Sequence, residues 1–156
     1  MKKRHFLNTV FVSLAAAGAG CINVGSKSPH KLDPADYDET IRVACVGDSI
    51  TFGAGIKDRK NHNYPFVMGK SLGDRFDVRN FGVSGATMLK KGDFSYWERP
   101  EFKQATEFNP HVVIIKLGTN DTKPQNWKHS AEYAADYKAM IDHFADLPTK
   151  PKIWLC

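Results

Sequence analysis

A serine stands where the backbone could help it react as a nucleophile. Ser49 belongs to the segment GDSIT, residues 47–51, which directly follows the apolar run of residues 41–46. The run predicts a buried parallel strand, and ligands of open α/β sheets bind at the carboxyl ends of such strands. A tight glycine-containing turn into a helix aims backbone N–H groups at one point beside the hydroxyl. This arrangement favours acyl transfer.

Two further segments, each directly after a strand-like run, could supply hydrogen-bond donors to the same place. They are NFGVSGAT at residues 80–87 and LGTND at residues 117–121. Because the carboxyl ends of parallel strands meet at one edge of a sheet, we expect both segments to lie beside the serine. Gly85 offers an N–H group that no Cβ screens, and Asn120 offers a carboxamide that can donate.

These three segments, in this order, resemble the first three blocks of the SGNH hydrolases, also called GDSL esterases. The resemblance covers residues 42–156, and the wording GDSITFGAG, NFGVSGAT and LGTND followed by KPQNW is most similar to sialate O-acetylesterase-like carbohydrate esterases. It implies that Ser49 is the nucleophile, and that its own N–H, the Gly85 N–H and the Asn120 side chain form an oxyanion hole. It also implies a flavodoxin-like, three-layer α/β/α fold with a parallel sheet.

Two carboxylates next to these residues are expected to support them. Asp48 is predicted to fix the turn before the serine, and Asp121 is predicted to support Asn120. The family's fourth block, an Asp-x-x-His that supplies the base and its orienting carboxylate, is absent after Asn120. His129 and His143 are the histidines in that part of the chain, and neither has an Asp three residues before it.

The last residues, 153–156, read as a fourth strand of the sheet. A domain rarely stops inside a core strand, because the exposed edge would pair with other chains. We therefore expect a C-terminally truncated enzyme whose sheet is incomplete. Triad enzymes that lack one member keep only about 10³- to 10⁴-fold catalysis over water, so the 156-residue chain is predicted to be nearly inactive.

The chain divides into three predicted parts. Residues 1–21 read as an export signal with a basic start and a short apolar segment, which predicts a periplasmic or extracellular protein. Two interpretations of its end stay open, lipidation of Cys21 and cleavage after Ala19. Residues 22–40 are polar and predict a linker, and residues 41–156 form the predicted hydrolase domain.

The net positive charge of the chain lies mostly in residues 1–30. The formal net charge is +5, and residues 1–30 carry four of the 22 Lys and Arg residues and no acidic residue. The remaining 18 basic residues face 17 acidic ones, which excludes a nucleic-acid footprint. No metal-ligand spacing occurs among Cys and His, and the predicted chemistry needs no metal or nucleotide.

Periodicity locates the elements that must position these groups. Strands are predicted at residues 76–79 and 112–116 in addition to the first, and a helix at residues 64–72 ends at Gly73. A second helix over residues 130–144 has one apolar face, formed by Tyr133, Tyr137, Met140, Ile141 and Phe144. His143, in its last turn, is predicted to be a helix-end cation.

Some residues have readings that do not involve catalysis. Cys45 and Cys156 are predicted to be small buried hydrophobes, with a disulfide between them left open. Three aromatic residues follow the second and third strands and could either stack on a sugar or pack the loops; they are Tyr96, Trp97 and Trp127.

The leading hypothesis is a serine esterase that removes acetyl or other short acyl groups from a carbohydrate. The alternative is a non-catalytic carbohydrate-binding lipoprotein on the same fold, which reaches the membrane only through a lipid on Cys21. A phosphate or nucleotide binder is unsupported, since residues 47–55 contain neither a P-loop lysine pattern nor G-x-G-x-x-G.

Overall fold

The structure, a computed structural model, describes residues 32–156. The predicted export signal, the predicted lipid site at Cys21 and the first part of the predicted linker lie outside these residues. No helix within the described range is long and apolar enough to cross a membrane.

Four parallel strands form the centre of the described chain, in the order β2-β1-β3-β4. Their bounds are β1 (Ile41–Gly47), β2 (Phe76–Gly82), β3 (Val112–Lys116) and β4 (Lys152–Leu155). This is the strand order of the flavodoxin-like fold, with the first strand between the second and the third. Six α-helices join them: α1 (Ser49–Phe52), α2 (Arg59–His62), α3 (Tyr64–Leu72), α4 (Pro100–Glu107), α5 (Pro124–Trp127) and α6 (Tyr133–Ala145).

Helices cover both faces of the sheet because β1 and β3 are apolar on both sides. Alternate residues of β1 enter two different cores, with Ala44 and Val46 on one face and Val43 and Cys45 on the other. The first core packs against α4 and α6, and the second against α3 and the segment that contains Leu32. The predicted three-layer α/β/α arrangement is therefore confirmed.

The two main predicted helices occur, with one difference in their bounds. Helix α3 begins where the Asn63 side chain accepts a hydrogen bond from the Phe66 N–H (2.9 Å), and it ends at Gly73, whose φ is +80°. Residues 130–132 form a 3₁₀ turn, and α6 begins only at Tyr133. Its predicted apolar face packs against the core as expected.

Strand β2 is longer than predicted and includes the first three residues of the NFGVSGAT segment. The polar Asn80 can remain in the strand because both ends of its carboxamide are used. Its Nδ2 donates to the Thr51 carbonyl oxygen (2.8 Å), and its Oδ1 accepts from the Gly82 N–H (2.8 Å). The side chain thus joins β2 to the helix that carries Ser49.

The described part of the predicted linker packs on the domain. Leu32 and Tyr37 contact the second core, and the Arg75 guanidinium donates to the carbonyl oxygens of Pro34 (3.0 Å) and Tyr37 (2.8 Å).

The two cysteines of the described range differ in environment. Cys45 is buried in β1, as predicted, whereas the prediction that Cys156 is buried is wrong, because it is exposed at the end of β4. Both thiols are free. Strand β3 lies between β1 and β4, so a whole strand lies between the strand of Cys45 and the strand before Cys156.

Candidate active site

The carboxyl ends of β2, β1 and β3 lie at one edge of the sheet and are hydrogen-bonded to each other. Gly47, the last residue of β1, is opposite Gly82 of β2 and Lys116 of β3. Beyond the strands, the Val83 N–H donates to the Gly47 carbonyl oxygen (2.9 Å) and the Asp48 N–H to that of Lys116 (3.3 Å). The three predicted segments therefore start from adjacent points, as expected from a parallel sheet.

Ser49 is the first residue of α1 and is partly buried. The preceding residue, Asp48, fixes this helix start. Its Oδ1 accepts a hydrogen bond from the Ile50 N–H (2.9 Å), and its carbonyl oxygen accepts from the Phe52 N–H (2.9 Å). Asp48 is completely buried, and its Oδ2 has no hydrogen-bond partner within the described residues.

Glycines allow α1 to lie directly on the strand ends. A Cβ at Gly82 would overlap the Phe52 amide nitrogen, and one at Gly47 would overlap the Thr51 hydroxyl. Backbone atoms cannot move aside as a flexible side chain can, so Gly82 is required for the position of the helix that carries Ser49.

Gly85 lies in the loop that follows β2, with φ +86°. This left-handed conformation favours glycine. Gly85 is the third residue of a turn that is closed by a hydrogen bond from the Ala86 N–H to the Val83 carbonyl oxygen (3.1 Å). Within residues 32–156 no hydrogen bond uses the Gly85 N–H, so this donor is available to a ligand.

Asn120 lies in a 3₁₀ turn after β3 and is 7% exposed. Its Nδ2 donates to the Ala86 carbonyl oxygen (3.0 Å). The main-chain carbonyl oxygen of Asn120 accepts from Nδ2 of Asn126 (2.9 Å). The side chain predicted to complete the oxyanion hole is thus bonded to the residue after Gly85, which brings two of the predicted donors into one small region.

Asp121 is bonded to a different partner from the one expected. The sequence predicts that it supports Asn120, whereas its Oδ2 accepts from the Met88 N–H (2.9 Å) and its Oδ1 from the Leu89 N–H (2.7 Å). The carboxylate is completely buried and holds the loop that contains Gly85. It therefore connects the loop after β3 to the loop after β2.

Further polar residues that hold these loops in place were missed by sequence reasoning. Asn126 is completely buried and exchanges two hydrogen bonds with Asp93: the Asp93 N–H donates to Asn126 Oδ1 (2.8 Å), and Asn126 Nδ2 donates to Asp93 Oδ1 (2.9 Å). Asp136 accepts from the Lys90 N–H (2.8 Å). The segment KPQNW contains Asn126, but a local sequence pattern does not predict a partner more than 30 residues away.

The three aromatic residues behave differently. Tyr96 is completely buried, and its hydroxyl donates to the Phe81 carbonyl oxygen (2.7 Å); Trp97 Nε1 donates to the Met88 carbonyl oxygen (2.9 Å). Both of these pack the loops. Trp127 is 48% exposed at the end of α5.

Tyr133 also lies against this edge. A Cβ at Gly118 would be 2.5 Å from the Tyr133 hydroxyl oxygen, so that glycine admits the phenol beside the LGTND backbone. Burial, together with the nearby Asp121 carboxylate, raises the pKa of Tyr133 to about 12. The phenol is therefore protonated and uncharged near neutral pH, and its hydroxyl lies beside the main chain of Gly118.

Three of the four histidines in residues 32–156 have side-chain partners away from Ser49, namely His62, His111 and His143. His62 contacts Asp58 (3.4 Å) on the exposed side of α2, and His111 contacts Glu39 (3.3 Å) at the amino end of β3. His129 precedes the 3₁₀ turn at residues 130–132. No cluster of three or more His, Cys, Asp or Glu residues suited to a metal ion occurs within residues 32–156.

The prediction that His143 is a helix-end cation is wrong. Its Nε2 is 2.8 Å from the Thr106 hydroxyl, and its ring packs on Phe102 with centroids 4.6 Å apart. Burial lowers the pKa of His143, because the charged form would lose its hydration. The side chain packs between α6 and α4 instead of interacting with the helix end.

Comparison with known proteins identifies the family to which the chain belongs. The chain belongs to the GDSL-like Lipase/Acylhydrolase family, whose model matches residues 45–156. This match confirms the resemblance found in the sequence, and the class it defines is that of carboxylic ester hydrolases. The match begins within β1 and includes Ser49, Gly85 and Asn120.

One curated relative and several solved structures are similar to the chain. An acetylxylan esterase of Xylanibacter ruminicola is 44% identical over 140 residues, which cover 79% of this chain and 29% of that protein. The chain therefore spans about 29% of the length of this relative.

Among solved structures, a carbohydrate acetylesterase family member from Sinorhizobium meliloti has a TM-score of 0.58 at 22% identity, with 74% of this chain and 61% of that one covered. The native aryl esterase of M. smegmatis has the same TM-score and identity, with 74% and 62% covered. These structures support the fold assignment.

Proposed function

We propose that this chain carries the nucleophile and the oxyanion donors of a serine esterase that removes acetyl or other short acyl groups from a carbohydrate. The single observation that carries the proposal is the position of Ser49 at the end of the central strand, between loops that hold Gly85 and Asn120. The similarity to an acetylxylan esterase supports an acetylated xylan-like glycan as substrate.

The proposed reaction proceeds through an acyl-enzyme. The Ser49 hydroxyl oxygen attacks the ester carbonyl, and the negative charge that develops on the carbonyl oxygen accepts hydrogen bonds from the N–H groups of Ser49 and Gly85 and from the Asn120 carboxamide. The bond between the carbonyl carbon and the sugar oxygen then breaks, and the proton that Ser49 lost ends on that sugar oxygen. Water attacks the acyl group in the second half and releases the acid. The proposed steps need no cofactor.

Proton transfer is the step that the described residues support least. The histidine–carboxylate contacts within residues 32–156 lie on α2 and at the amino end of β3, and the sequence contains no Asp-x-x-His after Asn120. We therefore propose that the 156-residue chain reacts slowly, at about 10³- to 10⁴-fold over water, and that it accumulates acyl-enzyme with an activated ester.

Intact-mass spectrometry during incubation with p-nitrophenyl acetate tests this proposal. We expect one acetyl group on Ser49 in the parent chain and none on that residue in Ser49→Ala. Ser84→Ala is the matched control, because Ser84 is exposed in the neighbouring loop and has no proposed role. Equal p-nitrophenol release by Ser49→Ala and the parent would contradict the assignment of the nucleophile.

The alternative function, a carbohydrate-binding lipoprotein without catalysis, agrees with the positions of the histidine–carboxylate contacts in residues 32–156, which lie away from Ser49 on α2 and at the amino end of β3. It predicts glycan binding that Ser49→Ala leaves unchanged, with no acyl-enzyme under any condition. We also propose export of the protein, with either a lipid on Cys21 or cleavage after Ala19. Mass spectrometry of the N-terminal peptide from bacterial membranes and periplasm separates these two outcomes.

A further inference from the structure

Two large aromatic side chains are exposed beside the proposed oxyanion donors. Phe94, in the loop after β2, is 39% exposed, and Trp127, at the end of α5, is 48% exposed. Neither takes part in the chemistry proposed above. An exposed aromatic ring loses the benefit of burial, so two of them at one edge need an explanation.

A hydrogen-bonded pair, formed by the exposed Asp93 and the buried Asn126, connects the two rings. Asp93 and Asn126 immediately precede Phe94 and Trp127, and they exchange hydrogen bonds of 2.8 and 2.9 Å. The Gln125 Nε2 donates to the second oxygen of Asp93 (3.1 Å). Because Asn126 is completely buried, the pair fixes the backbone on which both rings are carried.

The same pair fixes the rings relative to the donors. Asn126 Nδ2 also donates to the Asn120 carbonyl oxygen (2.9 Å), so Trp127 is one residue from a direct contact with Asn120. On the other side, a Cβ at Gly85 would be 3.8 Å from Cδ1 of Phe94. One ring therefore adjoins each loop that carries a proposed oxyanion donor.

Each ring is partly held in place by a neighbour. The Arg99 guanidinium carbon lies 4.3 Å from the centroid of the Phe94 ring and occupies one of its faces. The Trp127 centroid is 6.0 Å from that of Tyr133 in a tilted arrangement. These contacts orient the rings and restrict their rotation, which reduces the entropy lost when a ligand binds.

We propose that Phe94 and Trp127 form a platform on which pyranose rings of the substrate glycan stack, with the Asp93–Asn126 pair as its positioning element. The C–H face of a neutral sugar ring matches an aromatic face, and the hydroxyl groups at its rim match Asp93 and Gln125. Polar side chains between the rings disfavour a protein partner, which needs a larger continuous apolar surface. The class of ligand rests on the proposed function, whereas the placement of the rings does not.

Titration of the 156-residue chain with xylohexaose, which carries no acyl group, tests the platform without any need for turnover. Binding is followed by the NMR signal of the Trp127 indole N–H and by isothermal calorimetry. We expect the dissociation constant to rise about tenfold in Trp127→Ala and several-fold in Phe94→Ala, with partial recovery in Trp127→Phe. Val67→Ala is the matched control, because Val67 is 47% exposed on α3 and is not part of the platform.

Asp93→Ala tests the positioning element, because it removes the carboxylate that accepts from Asn126 Nδ2 and leaves both rings, and the N–H of residue 93, in the chain. We expect weaker xylohexaose binding in this variant, and thermal unfolding shows whether each variant is folded. Two results would overturn the proposal: no binding of xylohexaose by the parent, or equal binding by the parent and both ring variants. Failure of the proposed function has a different signature, since the absence of acetyl-Ser49 leaves xylohexaose binding intact.

Discussion

The Asn120 carboxamide nitrogen donates to the Ala86 carbonyl oxygen at 3.0 Å, and Ala86 directly follows Gly85. One of the two amide hydrogens is thereby used to hold the neighbouring loop, and the second is the one proposed to donate to the oxyanion. The same side chain thus positions one proposed donor and is itself another. Its loss should affect both stability and reactivity.

Asn120→Ala is expected to slow the acetylation of Ser49 by about 10²- to 10³-fold, because a preorganised donor is lost. It should also lower the free energy of unfolding by about 1–3 kcal/mol, since the Ala86 carbonyl oxygen loses its donor in a buried region. Intact-mass kinetics and urea denaturation measure the two effects. Asn61→Ala, on the exposed side of α2, is the control. An Asn120→Ala chain that acetylates at the parental rate would remove Asn120 from the site.

Asp121→Asn is expected to lower the free energy of unfolding by about 2–3 kcal/mol. The Asp121 carboxylate accepts from the N–H groups of Met88 and Leu89. In the variant an amide NH₂ replaces one oxygen, so one of these N–H groups loses its acceptor. Urea denaturation measures the loss, and hydrogen exchange at the amides of Met88 and Leu89 should become faster. Asp142→Asn changes an exposed carboxylate on α6 and should cost less than about 0.5 kcal/mol. Unchanged exchange at both amides would contradict the prediction.

Gly82→Ala is expected to displace α1, because the new Cβ would overlap the backbone of Phe52. We expect a loss of about 1–3 kcal/mol in stability together with slower acetylation of Ser49. Gly73→Ala is the matched control: its φ is +80°, so it is also strained, but nothing lies within 4 Å of the added Cβ. It should lose stability and keep the reactivity of Ser49. Similar reactivity in both variants would show that α1 tolerates the change.

The cysteine thiols are expected to react with a maleimide at very different rates. Burial raises the pKa of Cys45 to about 12, so in the folded chain it has little thiolate and little access, whereas Cys156 is exposed. In a Cys21→Ser background, peptide mass mapping should find the label on Cys156 within minutes and on Cys45 only in urea. Cys156→Ser should remove the fast reaction. Fast labelling of Cys45 in the folded state would contradict its buried position.

Acidification is expected to destabilise the fold through His143. Its pKa is lowered by burial in the folded state, so below its usual value of about 6.5 the unfolded chain binds more protons than the folded chain. The stability contributed by the neutral ring is therefore present at pH 7.5 and is lost as the pH falls through 6.5 and below. Urea denaturation from pH 7.5 to 5 measures the slope, and His143→Gln should reduce it. An NMR titration of the imidazole checks the direction of the shift independently.

Periodicity and turn chemistry were sufficient to predict the sheet and the edge at which the three segments begin. The apolar run in β3 and the segment GDSIT after β1 are local signals, and parallel pairing then brings Ser49, Gly85 and Asn120 to one edge. The end of β2 was missed, because Asn80 is a residue type that favours turns. In the fold its side chain donates to the Thr51 carbonyl oxygen, and the strand continues through it. A polar residue can continue a strand when a partner from another element is available.

The hydrogen bonds that hold the loops could not be predicted from the sequence. Asp121 bonds to residues 32 and 33 positions earlier, and Asn126 bonds to a residue 33 positions earlier. Such choices depend on how close the folded loops come, which no local pattern encodes. The environment of His143 was missed for the same reason, since Phe102 and Thr106 belong to another helix.

The buried carboxamide of Asn126 connects the loop after β2 with the loop after β3, in addition to Asn120 and Asp121. Loop exchange with a relative therefore has to transfer both segments together, because a replacement at one side alone would strand a buried amide. The exposed rings that follow Asp93 and Asn126 are under no such restriction. If the proposed platform binds glycans, substitutions at Phe94 and Trp127 should change its ligand preference without disturbing the hydrogen bonds beneath them.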